Sequence, residues 1–163
     1  QCIVNILISN KYPNLVKLGI NTNNISDCGV QAIADTLDAR KNPNCRLEVL
    51  GLSENDSITH KGALAVANAL HFNTTLVRLF FNKDKHLCNE GAFSIIQAVK
   101  KHPTLKRLGL ASCNLRGVEI GNHLLELIDK NSTIERVCVS GNQFETGVEC
   151  IMKKCPVFNF KQP

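Results

Sequence analysis

The sequence predicts an α/β fold: a right-handed solenoid of strand–helix repeats, with a parallel sheet on its concave face and helices on its convex face. Three observations predict it. The pattern L-x-x-L-x-L-x-x-N returns five times along the chain. A stripe of small and aliphatic residues at helical spacing follows its first three occurrences. The 163 residues are 44% hydrophobic and 20% charged, the balance of an ordinary globule that can bury a sizeable core.

The nine-residue pattern starts at Leu15, Leu47, Leu76, Leu105 and Ile134, at intervals of 32, 29, 29 and 29 residues. Its fourth and sixth positions read Leu18 and Ile20, Leu50 and Leu52, Leu79 and Phe81, Leu108 and Leu110, Val137 and Val139. Residues two apart share one face of a strand, so each pair points into a core. One repeat cannot bury that face alone, and neighbours must stack into a parallel sheet. The ninth position (Asn23, Asn55, Asp84, Cys113, Asn142) lies where the chain turns away from the sheet. A side chain there can satisfy main-chain groups that the bend would otherwise bury unpaired. Asp84 departs from the Asn or Cys of the pattern, and Cys113, a weak donor, is expected to be the softest rung.

After each bend the period changes to that of a helix. Ile25, Gly29, Ala32, Ile33, Leu37 return as Ile58, Gly62, Ala65, Val66, Leu70, and again as Leu87, Gly91, Ile95, Ala98, Val99. Asp27 and Thr59 are candidate caps of the first two helices. Each helix ends in a polar stretch: Asn42-Pro43, Asn73, His102-Pro103 and Asn131. The fourth repeat carries Glu119 at the glycine position, between Gly117 and Gly121, which predicts a shifted helix start. Arg40 to Asn44 predict a longer loop on one rim. The whole chain, 1–163, reads as one domain. Within it 1–12 form a partial N-terminal repeat whose helix holds Ile3, Ile6 and Leu7. Residues 13–152 form five repeats, and 153–163 a C-terminal cap or tail. Val148, Ile151 and Met152 predict a short last helix, with Val157, Phe158 and Phe160 folding back over it. Starting at Gln1, the chain reads as a piece of a longer polypeptide.

Strand motif, helical stripe and 29-residue period together resemble the ribonuclease-inhibitor-like subclass of leucine-rich repeats, over residues 13 to 152. That subclass includes ribonuclease inhibitor, the Ran GTPase-activating protein, the tropomodulin C-terminal domain, the sensor arms of NOD-like receptors and some bacterial effectors. The resemblance implies an intracellular, cytoplasmic setting, or delivery into a host cytosol for an effector. It implies a non-catalytic module that binds a protein through its concave face. The alternative is a tropomodulin-like actin regulator or a GTPase-regulating protein.

Other classes find little support. No apolar run has the length to span a bilayer, and the apolar start holds Asn5 with no basic residue before it, unlike a secretory signal. A net charge of +5, from 19 Lys plus Arg against 14 Asp plus Glu, favours acidic partners but is too mild for nucleic acid, and the absence of Trp weakens any stacking role. Eight Cys without a C-x-x-C pair read as reduced thiols, since Cys113 and Cys138 fall within the hydrophobic register. Four N-x-S/T sequons (Asn24, Asn55, Asn73, Asn131) point the other way, but 18 Asn produce such matches by chance, and Asn55 is expected to be buried. No phosphate-binding loop, H-E-x-x-H or G-x-S-x-G is present. His123 with Glu126 reads as a solvated helix face, and His86, Cys88, Glu90 lack a recognisable fourth ligand. We therefore expect no catalytic residue, no metal and no cofactor, and a monomer.

The residues between the core positions point to the concave face. Third positions read Lys17, Val49, Arg78, Arg107, Arg136; fifth positions Gly19, Gly51, Phe80, Gly109, Cys138; seventh positions Asn21, Ser53, Asn82, Ala111, Ser140. Three consecutive Arg stack side by side, which is unfavourable unless Glu48, Glu135, solvent or an acidic partner offsets them. Two readings stand: long basic stems that solvate the sheet, or a contact row of Lys17, Arg78, Arg107 and Arg136 for an acidic protein surface. Phe80, between two glycines, is either an exposed anchor with hollows beside it, joined by Asn82, or a ring lying flat over the glycines.

Overall fold

The computed structural model describes residues 14–161. Its strands are β1 Lys17–Gly19, β2 Val49–Gly51, β3 Arg78–Phe80, β4 Arg107–Gly109, β5 Arg136–Cys138 and β6 Phe158–Asn159. Its helices are α1 Asp27–Leu37, α2 His60–Leu70, α3 Cys88–Val99, α4 Val118–Lys130 and α5 Thr146–Lys154. Strand and helix alternate, and all six strands form one parallel sheet in the order β1-β2-β3-β4-β5-β6. The helices pack on one another along the opposite side. Strands sit about 4.8 Å apart and helices about 8–10 Å, so the stack bends with the sheet on the inside.

The strand register repeats the sequence register: Leu18, Leu50, Leu79, Leu108 and Val137 face one another in turn. All but Leu18, which begins the described stack, are fully buried. Strands β1 to β5 are three residues long because position eight turns the chain. Thr22, Glu54, Lys83 and Ser112 there adopt φ of 60°, 61°, 65° and 55°, and Gly141 69°. The left-handed region costs a non-glycine residue about 1–2 kcal/mol. Each of the four N–H groups still reaches the next repeat, at Ser53, Asn82, Ala111 and Ser140 carbonyls.

Polar ladders hold the turns together. Asn55 accepts the N–H groups of Asn23 and Ile25 (3.0 and 2.9 Å) and donates to the Ile20 and Leu52 carbonyls. Asn142 does the same for Cys113 and Leu115, donating to Leu110 and Val139. The side chain of Asn23, on the first described repeat, is exposed and donates locally, to the Asn21 carbonyl. Cys113, expected to be the softest rung, keeps a partner. It is fully buried, and its thiol donates to the Phe81 carbonyl at 3.0 Å. The incomplete rung is Asp84: Oδ1 accepts the Asn55 N–H at 2.7 Å, while the buried Oδ2 has no partner. Burial, with the Asp56 and Glu54 carboxylates nearby, pushes this carboxyl up to about 8 against the pull of the Asn55 N–H. A carboxyl cannot donate as an amide does unless protonated, and here the fold keeps the proton.

A further ladder runs along the helix ends. Asn73 accepts the Thr75 and Leu76 N–H groups and donates to Leu37; Asn131 accepts from Thr133 and Ile134 and donates to Val99. Thr75, Thr104 and Thr133 donate their hydroxyls to the Leu47, Leu76 and Leu105 carbonyls. His102 takes the Asn place, its Nδ1 accepting the Leu105 N–H at 3.1 Å, and burial lowers its pKa to about 4. The sequons at Asn55, Asn73 and Asn131 are therefore buried ladder residues.

Thr59 caps α2 through its hydroxyl. Asp27 does not cap its own helix, which starts at Ser26 without a side-chain cap. Its carboxylate reaches across to the Thr59 and Gly62 N–H groups, tying α1 to α2. Burial raises the Asp27 carboxyl, but these bonds and the Lys61 charge outweigh it and leave it below the usual range. At the far end Phe158 pairs with Val137 and Asn159 with Cys138, so the segment expected to fold back over the last helix adds a sixth strand instead. The partial repeat expected in residues 1–12 lies outside the described residues. Among those described, no helix is long and apolar enough to cross a membrane.

Candidate functional site

Among the described residues, the strands present a face that no helix covers. Pairing puts Arg78 opposite Arg107 and Arg107 opposite Arg136, with Lys17 and Val49 completing the row. Lys17, Arg78 and Arg136 are exposed and Arg107 is half-buried. At a strand spacing of about 4.8 Å the three guanidinium groups start from backbone points spanning roughly 10 Å. Among the described residues none of the three forms an ion pair. Glu135, one of the two acids expected to offset them, bonds Lys106 at 2.8 Å. Lys106 first, then the charges of Arg107 and Arg78, hold its carboxyl below the usual carboxylate range.

The remaining concave residues are less open than the sequence suggested. Phe80 is half-buried and lies against Gly109, where a Cβ would sit 2.7 Å from its ring. The hollows expected beside it are occupied, because a Cβ on Gly51 would meet Asn21 at 2.8 Å and one on Gly109 would also meet Asn82 at 2.8 Å. Asn82 is itself a rung of a seventh-position ladder. Asn21 accepts the Ser53 N–H, Ser53 that of Asn82, and Asn82 that of Ala111 at 3.0 Å. Its amide oxygen is thus engaged by the fold. What stands free on this face is cationic.

Sequence reading missed this seventh-position ladder, although its signal was present: Asn at position seven of one repeat accompanies Gly at position five of the next, at Asn21 with Gly51 and at Asn82 with Gly109. The paired residues on the helical side are not ligand sets. His123 approaches Glu126 at 3.7 Å, but Lys100 holds that carboxylate at 2.7 Å. Among the described residues no group of three His, Cys, Asp or Glu is placed to hold a metal ion.

Strand, left-handed turn, asparagine ladder and backing helix, repeated at intervals of 29 residues after the first, define the class: this is a leucine-rich-repeat fold. Its sequence relatives include the human NACHT, LRR and PYD domains-containing proteins 13 and 14. It is 30% identical to the first over 141 residues and 32% identical to the second over 150, or 86% and 90% of this chain. The chain spans about an eighth of the length of either relative. The FERM domain-containing protein C of Dictyostelium discoideum is 33% identical over 96 residues, 59% of this chain and 6% of that protein. Among solved structures, the leiomodin-1 actin-binding site 2 superposes with a TM-score of 0.73, covering 93% of this chain and 83% of that one at 20% identity, a likeness of fold. No protein-family model matches the sequence.

Proposed function

We propose that the chain is a non-catalytic protein-interaction segment of a longer protein, and that it receives an acidic surface of its partner on the concave face. One observation carries this reading: Arg78, Arg107 and Arg136 lie in register on adjacent strands, none of them ion-paired among the described residues, on the face opposite the helices. Like charges held this close are unfavourable by themselves, and a carboxylate-bearing partner relieves the repulsion while gaining charge-assisted, bidentate contacts. Lys17 extends the row at one edge and Phe80 contributes an apolar ledge next to it. The seven free cysteines among the described residues favour a reducing, intracellular setting.

The test is a triple substitution. R78A/R107A/R136A should not lower the unfolding temperature, because none of the three side chains packs in the core, and should abolish salt-sensitive binding of a polyglutamate probe and of the partner captured by the native chain. Undiminished binding by the triple variant refutes the concave-face reading. A second reading, an actin regulator, draws on the leiomodin likeness over nearly the whole chain. Actin polymerisation assayed with the purified chain decides it, and no change in rate or extent removes it.

A further inference from the structure

We propose that a cleft between α3 and α4, on the helical side of the molecule, receives a basic side chain of a protein partner. The cleft has a structural cause. Glycine lets the earlier helices close up: a Cβ on Gly62 would meet Asp27 and Val30 of α1, and one on Gly91 would meet Ala63 and His60 of α2. On α4 that level carries Glu119 and Ile120, and the close-packing glycine, Gly121, lies against Val148 of α5 instead. Helix α4 therefore packs more sparsely on α3 than α3 does on α2. The result is an open cleft of about 230 Å³ lined by Asn89, Glu90, Phe93, Glu119, Ile120 and His123. Asn89 fixes one end of it, since its amide donates to the Arg116 carbonyl and its oxygen accepts the Arg116 N–H, each at 2.9 Å.

The occupant's chemistry follows from how this chain treats two other surface phenylalanines, Phe72 and Phe160. Phe72 carries the Arg40 guanidinium 3.4 Å from its ring centroid, and Asp38 grips that guanidinium with both carboxylate oxygens, at 3.0 and 2.7 Å. Phe160 has the Lys153 ammonium 5.6 Å from its centroid, held by Glu149 at 2.7 Å. Ring, carboxylate and cation form one unit in both places. At Phe93 the ring is 41% exposed, His123 stands beside it with centroids 4.8 Å apart and planes at 59°, and Glu90 and Glu119 flank it. Among the described residues the one ion-pair partner of Glu90 is the exposed His60, at 3.6 Å. Among the described residues no Lys or Arg lies over the Phe93 ring, and Glu119 forms no ion pair. On a protein of net charge +5, two carboxylates at an aromatic corner are a local reversal of sign. They select an ammonium or guanidinium, whose aliphatic stem can lie along the exposed Phe93 ring. This site is separate from the concave row and opposite to it in charge, and it stands or falls independently of the function proposed above.

The experiment is an NMR titration of the ¹⁵N-labelled 163-residue chain with N-acetyl-arginine-N-methylamide and N-acetyl-lysine-N-methylamide, using the uncharged norleucine analogue as control. Saturable shifts at the Glu90, Gly91, Phe93, Glu119 and Ile120 amides, at millimolar basic probe and not with norleucine, are expected. Phe93→Ala, and separately Glu90→Gln with Glu119→Gln, should each weaken binding about tenfold while the Ile95 and Leu124 amides keep their positions. No saturable shift with either basic probe, equal shifts with norleucine, or full affinity in the carboxamide variant overturns the proposal.

Discussion

Replacing Asp84 by Asn should stabilise the chain by an amount that grows with pH. The carboxyl is fully buried, with one oxygen on the Asn55 N–H and the other without a partner, and its pKa is raised from 3.8 to about 8. Between those values the folded state keeps a proton that the unfolded chain releases. Stability is therefore full below about pH 4 and falls as pH rises toward about 8. At about 1.4 kcal/mol per pH unit, the buried carboxyl costs roughly 4 kcal/mol at pH 7. Asn does not ionise, and its amide can give carbonyls the donors that Asn55 and Asn142 give theirs. His102 acts in the opposite direction. Its pKa falls from 6.5 to about 4, so the stability it permits is full above 6.5 and is lost as pH drops toward 4. From about pH 4 to 6.5 the two slopes oppose one another and the native profile is nearly flat; above that window Asp84 acts alone. Urea unfolding of both chains between about pH 5 and pH 8 checks this, with the gap expected to widen by about 1.4 kcal/mol per unit. A gap that ignores pH, or a variant less stable at pH 7, refutes a protonated carboxyl in this rung.

Other outcomes test the stack and its ladders. Leu108→Ala should cost about 2–5 kcal/mol by opening a cavity behind β4, read as a lower urea midpoint with an unchanged slope. Asn55→Ala strands two N–H groups and two carbonyls, and should cost at least about 2 kcal/mol in the same assay. Expressed through a secretory pathway, the folded chain should carry a glycan at Asn24 alone, because Asn55, Asn73 and Asn131 are buried. Intact mass would show a second glycan if those positions were accessible.

The repeat itself was legible because burial imposes a period: Leu50, Leu79 and Leu108 return at fixed spacing since each must meet its neighbour. Composition and spacing also marked where the fourth repeat departs, at Glu119. Side-chain hydrogen bonds were harder to read. Asp27 has the residue type of a cap, yet nothing local tells that it serves the next helix, 32 residues on. Asn73-Thr74-Thr75 matches a sequon as well as it matches a ladder, and only burial distinguishes them. On the concave face the cationic row was visible from alternation alone. The closing of Phe80 and Asn82 over Gly109 depends on which rotamers the adjacent rung leaves open, and one-letter patterns do not encode that.

The asparagine that leans over the following repeat's glycine has a consequence for recombination. A turn with a bulky fifth residue cannot be grafted behind one that ends in Asn21 or Asn82, and a turn beginning with Gly51 or Gly109 leaves a gap behind any other. Grafts from this coil should therefore keep such pairs of turns together and cut between turns whose side chains do not overlap. The boundary before Cys138, which follows the small Ala111, offers a clean joint.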